Sequence, residues 1–139
     1  PDPTKPDRRF APVNVLSYES KAISGIHIIG DASDTTMPKA GHIGNQEAKT
    51  CTDAIIRLLK DKNAQPDPSP VTNSACFTPI TSTTATWLSA VYQYDDVSKT
   101  MLIPPQHNNK QAISATSATT ENYKDMLTWF DTLMSDTFS

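Results

Sequence analysis

No stretch of this 139-residue chain comes near the roughly 20 consecutive apolar residues that a membrane-spanning helix needs, so no such helix is expected. No positively charged start leads into an apolar core, and with it goes the usual mark of a secretory signal peptide. Lys and Arg form no cluster: 12 of them are set against 15 Asp and Glu, for a net charge of −3. The sequence pI is near 5.5. A basic face for a polyanion is therefore missing, which argues against a nucleic-acid partner. The only two cysteines, Cys51 and Cys76, are too few for a secreted disulfide scaffold and lack the spacing of a zinc site. These absences leave a soluble chain of about one domain's length, enough for a modest core.

What is present changes character along the chain. The opening "PDPTKPDRRFAP" reads as a linker, and a start at Pro1 suggests a cut or processed product. "NVLSYESKAISGIHIIGD" gives one or two strands, and residues 39–62 give a long helix. On that helix Ala40, Gly44, Ala48, Cys51, Ile55, Leu58 and Leu59 recur at three- and four-residue spacing, one buried face. "AQPDPSP" has too many prolines and too few apolar residues to be anything but a connector, and it divides residues 1–65 from 66–139. Beyond it, "ATWLSAVYQYD" alternates as a half-buried antiparallel strand, with "SKTMLIPP" as its hairpin partner. "QHNNKQAISATSATT" is polar and reads as loop. Thr119 or Thr120 is placed to cap a final helix over 121–135, where Tyr123, Met126, Leu127, Phe130, Leu133 and Met134 share a face. The expected fold class is α+β.

Three places carry chemistry. In "GIHIIGDAS" a short β-branched strand with Ile26, Ile28 and Ile29 runs into Gly30 and Asp31. Gly30 admits close backbone approach, and Asp31 places a carboxylate at the strand's carboxyl end, where open α/β sheets bind ligands; a plain turn Asp is the competing reading. The two cysteines differ in context. Cys51 on the helix face reads as a small buried hydrophobe. Cys76, in "PSPVTNSACFTPITS", belongs to a short strand or turn, the accessible kind of place that reactive cysteines favour. Trp129 lies roughly 40° outside the edge of the final helix's apolar stripe, at about 100° per residue. It either widens the core contact or covers a neighbouring ligand.

Taken together, these segments carry a resemblance. "SYESKAISGIHIIGDASDTTMPKAGHIGNQEAK" resembles the second FAD-binding motif of the pyridine nucleotide-disulfide oxidoreductase superfamily. "MPKAGHIGNQEAK", a Pro-rich link, "NSACFTPI", a hairpin and a C-terminal helix with "TWFDTLMSDTF" resemble, in that order, the flavoprotein subunit of flavocytochrome c sulfide dehydrogenases. The likeness runs from about Phe10 to Phe138. It implies a strand-helix piece of an FAD-binding α/β domain followed by a small domain, an antiparallel sheet and a C-terminal helix, that covers the flavin and faces a partner.

The same resemblance implies residue roles. Asp31 would bond a ribityl hydroxyl of FAD, and Gly30 and Ala32 would let the cofactor approach. Pro38, Lys39 and Ala40 would lead into a helix whose amino end faces the pyrimidine side of the flavin, with Lys39 adding positive charge, and Trp129 would lie at the cofactor. Cys76 would be one half of a redox-active disulfide that takes sulfide as substrate, with electrons passing through FAD to haem on a c-type cytochrome subunit. The implied compartment is the periplasm. The chain holds no Gly-x-Gly-x-x-Gly, so the pyrophosphate-binding half and the second cysteine are expected in a preceding region. Two other readings remain: a sulfide:quinone oxidoreductase, whose usual membrane-binding end is not matched by "LTWFDTLMSDTFS", and a cytochrome-docking domain without chemistry of its own.

Overall fold

The computed structural model describes residues 9–104 and 112–138. Residues 1–8 of the expected linker, Pro105 at the end of the expected hairpin partner and 106–111 of the expected polar loop lie outside the described residues. The fold is α+β, with short strands in two sheets and two long helices. The chain forms two compact units: one holds the residues up to Thr72 together with Tyr92–Pro104, the other holds Asn73–Val91 and the chain after Pro104. Whereas the composition of the connector divides the chain at 65/66, these units divide it at three points and share the long strand between them.

The first unit is built on strand β1 (Ala11–Asn14), which pairs antiparallel with β2 (Glu19–Ser20) and parallel with β3 (Ser33–Asp34), in the order β2-β1-β3. Helix α1 (Gly41–Lys60) packs on it through Ile43, Glu47, Cys51 and Ala54. Val13, Val15, Tyr18, Met37, Ile43, Cys51 and Met101 form the core, with Ile28, Ala40, Ile55, Tyr92 and Tyr94 packed against them. Cys51 is buried on the helix face, as the spacing predicts.

Two expectations in this unit are corrected. The apolar run at 26–29 is not a strand. Its one pairing is an isolated antiparallel bridge between His27 and Glu19. Ser20 N–H donates to the Ile26 carbonyl at 2.7 Å and Ile28 N–H to the Tyr18 carbonyl at 2.9 Å, and there the ladder stops. Its partner β2 is only two residues long, and positive φ at Gly25 and Gly30 turns the chain at both ends. Ile26 and Ile29 are consequently 50% and 40% exposed. Helix α1 is also shorter than 39–62, and its apolar face ends before Leu58 and Leu59, which are 39% and 82% exposed. The last α1 residue packed on the core is Ile55, so the final turn has nothing to bury.

Strand β4 (Val71–Pro79) and strand β5 (Ala85–Asp95) adjoin in the order β4-β5-β6, where β6 is Thr100–Leu102. The β5–β6 register sets Tyr94 opposite Met101, the hairpin expected from sequence. Its turn is closed by Asp95, which accepts from both the Ser98 amide and hydroxyl. Two residues expected in a loop form strand β7 (Ile113–Ser114), antiparallel to β5 at Leu88 and Ser89. Edge pairing needs only backbone groups, so the polar composition of the segment hid it.

Helix α2 (Thr120–Phe138) begins as expected and runs three residues beyond 135. Thr119 is the cap: its hydroxyl accepts the Asn122 amide at 3.0 Å. Thr119 also exchanges two backbone bonds with the fully buried Ala85, tying the helix start to β5. The apolar stripe of α2 is only partly covered. No described residue of the helix is fully buried, and Leu127 and Phe130 remain 47% and 50% exposed.

Candidate functional site

The chain after Ile28 makes one 3-10 turn, Gly30–Ala32, before entering β3. Gly30 sits at φ +67°, a conformation in which a β-carbon is disfavoured. Two hydrogen bonds to Glu47 seat this turn on the first half of α1. Gly30 N–H donates to the Glu47 carboxylate, Oε2, at 2.5 Å. The fully buried Ser33 donates its hydroxyl to the Gly30 carbonyl at 2.8 Å and reaches the same Oε2 at 3.4 Å. On α1, Gly44 faces the turn, and a β-carbon there would meet the Gly30 α-carbon at 3.4 Å, an ordinary van der Waals contact.

Asp31 projects from this seated turn into solvent, and its carboxylate has no hydrogen-bond partner among the described residues. A capping Asp would accept a nearby amide; this one does not. Ala32 completes the turn and is exposed beside it. The amino end of α1 is equally open. Its cap residue, Ala40, offers no side-chain acceptor, and the first turn carries no acidic residue. The positive pole of a 20-residue helix is thus left without a compensating side chain. Pro38 is exposed just ahead of it, while Ala40 packs on the core. The Lys39 ammonium donates to the Ser33 carbonyl and stands 4.7 Å from the centroid of the Phe10 ring. It therefore binds the loop to the chain's first described residues instead of standing free.

Beneath the turn lies a buried polar group that sequence reasoning missed. Glu47 is 2% exposed, and burial raises its pKa above the ordinary carboxylate value, against the opposing pull of the Gly30 amide, Lys39 and the Ser33 and Thr35 hydroxyls. Tyr18, also buried, has its phenol pushed up by desolvation and then by the nearby Glu47. Burial likewise raises the Cys51 thiol and lowers His42. The signal for Glu47 was available: it stands three residues after Gly44 and four before Cys51, a carboxylate on the apolar stripe.

The remaining two site residues belong to the second unit. Cys76 is a free, exposed cysteine on β4. Its neighbour Phe77 packs against Trp129 of α2, ring centroids 5.6 Å apart and tilted by 42°. Trp129 thereby joins helix to sheet. The structure links Gly30, Asp31, Ala32 and Lys39 in the first unit, and Cys76 with the Phe77–Trp129 pair in the second.

Among the described residues no group of His, Cys, Asp and Glu could hold a metal ion, and no helix is long and apolar enough to cross a membrane. No family model matches the chain.

Proposed function

We propose that this chain is part of an FAD-dependent sulfide dehydrogenase, supplying the Asp31 turn and the α1 amino end to the flavin site and Cys76 to a redox-active disulfide. The observation that carries the reading is the pairing of an unpartnered Asp31 carboxylate on a firmly seated turn with an uncapped helix amino end on the element that seats it. A ribityl hydroxyl suits the first and the partly anionic pyrimidine edge of a flavin suits the second. Gly30 supports the same assignment, because the place a β-carbon would take on it is open space in which a cofactor can approach the backbone. FAD held there would supply an acceptor for an electron pair from a thiolate and a one-electron donor to the haem of a c-type cytochrome subunit.

Cys76 does the sulfur chemistry. Hydrosulfide attacks the disulfide between Cys76 and a second cysteine supplied by a preceding region; a new S–S bond forms, the old one breaks, and one cysteine becomes a persulfide while the other leaves as thiolate. Exposure on β4 gives an anionic nucleophile access. Cys51 takes no part, being buried among core residues with its thiol pKa raised.

The two cysteines make the test. In the full-length protein Cys76→Ser should keep FAD bound and lose anaerobic bleaching of the flavin absorbance by sulfide. Cys51→Ala should bleach normally, at a stability cost of about 1 kcal/mol. Normal bleaching in Cys76→Ser would overturn the mechanism and favour a cytochrome-docking domain without chemistry.

A further inference from the structure

We propose that Glu47 is the positioning residue of the Asp31 turn: its buried carboxylate fixes the direction of the Gly30 amide, and through it the aim of Asp31. The inference extends the flavin reading to a residue that touches no ligand, and rests on that reading only for what Asp31 binds.

The geometry carries it. The turn joins an extended segment held by one isolated bridge and a His27 ring contact with the Ser17 carbonyl to a two-residue strand paired with β1. The bonds from Ser33 to the Gly30 carbonyl close the turn on itself, whereas the Gly30 N–H ties it to a different element, its acceptor lying 17 residues on. Glu47 itself is held on all sides. The Ser33 hydroxyl faces it from the turn's exit, the Lys39 ammonium attracts it from the loop before α1, and Tyr18 lies close across the core. Cys51 follows one turn later on the same helix face. A carboxylate so confined has few rotamers, and its oxygen acts as a fixed acceptor. Removal of that oxygen leaves a part-buried amide unpaired and frees the residue that sets the φ +67° bend.

The requirement is for an acceptor at that point, not for a charge. Glu47→Gln keeps an acceptor at nearly the same place, whereas Glu47→Met fills the volume and offers none. Hydrogen exchange in the full-length protein, read on a peptide covering residues 28–34, should rise about tenfold in Glu47→Met and stay within about twofold of wild type in Glu47→Gln. A peptide from α2 should not change in either. FAD affinity should follow the same order, weakened about tenfold by Met and retained by Gln.

Unchanged exchange at 28–34 in Glu47→Met would overturn the proposal. So would faster exchange with undiminished FAD affinity in a protein whose Asp31→Ala variant binds FAD poorly, since the hold would then not govern Asp31. If Asp31→Ala also leaves FAD affinity untouched, the flavin reading falls, and the exchange result alone decides whether Glu47 holds the turn. Should Glu47→Met fail to fold, Ser33→Ala removes the second anchor of the same turn and should raise exchange at 28–34 by a few-fold; no rise would count against the proposal.

Discussion

Asp31 and Glu47 stand on opposite sides of one turn, and their surroundings assign them different work. Asp31 is exposed with no partner among the described residues, so Asp31→Ala should change the unfolding free energy by no more than about 0.5 kcal/mol. On the proposed flavin reading, the same change in the full-length protein should remove a charge-assisted bond to a ribityl hydroxyl, on the order of 1.5–3 kcal/mol, or at least about tenfold in the FAD dissociation constant. Equilibrium dialysis or flavin fluorescence titration checks this, and an unchanged constant would reduce Asp31 to a turn residue. Glu47 gives a pH effect of definite sign. Burial raises its folded pKa above the ordinary value of 4.5, so the stability it contributes is present below that value and lost as pH rises through the raised one. Glu47→Gln never ionises and escapes this loss. The unfolding midpoint of the variant should therefore gain on wild type as the pH is taken from about 4 to 7, and a constant difference over that range would mean the carboxyl titrates normally.

Elements were legible where one physical signal dominated. Helix α1 and its buried Cys51 followed from apolar spacing, the β5–β6 hairpin from alternation, and the Thr119 cap from residue type. The misses share a cause. The pattern at 26–29 satisfies a strand in every local respect, but strand pairing depends on a partner, and β2 is two residues long. The two residues of β7, in a polar segment, form a strand because β5 offers them an edge, which composition does not encode. Glu47 stayed hidden because a carboxylate on a helix reads as solvated until the turn that needs it is in place. The two glycines where turn and helix meet make this interplay testable. Gly30→Ala puts a side chain at φ +67° and should cost about 1–2 kcal/mol although no atom obstructs it. Gly44→Ala lies inside α1, where the added methyl meets Gly30 only at 3.4 Å, an ordinary contact, and should gain about 0.5–1 kcal/mol from helix propensity. Chemical denaturation of both variants tests the opposite signs; a loss at Gly44 would show the seat of the turn to be tighter than its geometry implies.

At the scale of the whole molecule, the residues of the proposed chemistry are divided between the two units, with the Asp31 turn and the α1 amino end in one and Cys76 with the Phe77–Trp129 pair in the other. Each unit carries features that are incomplete by themselves. An exposed carboxylate and an open helix end offer a flavin few directed contacts, while the sequence has no Gly-x-Gly-x-x-Gly for the pyrophosphate. Those few contacts must offset the roughly 4–15 kcal/mol of lost translational and rotational freedom that association costs, and a charge-assisted bond of about 1.5–3 kcal/mol with a helix pole of about 0.3–1 kcal/mol falls short of it. The 139-residue chain by itself should accordingly hold FAD weakly or not at all, and should emerge colourless from extensive dialysis. A chain that stays yellow would mean that it carries a complete cofactor site, and the division of labour proposed for the preceding region would have to be abandoned.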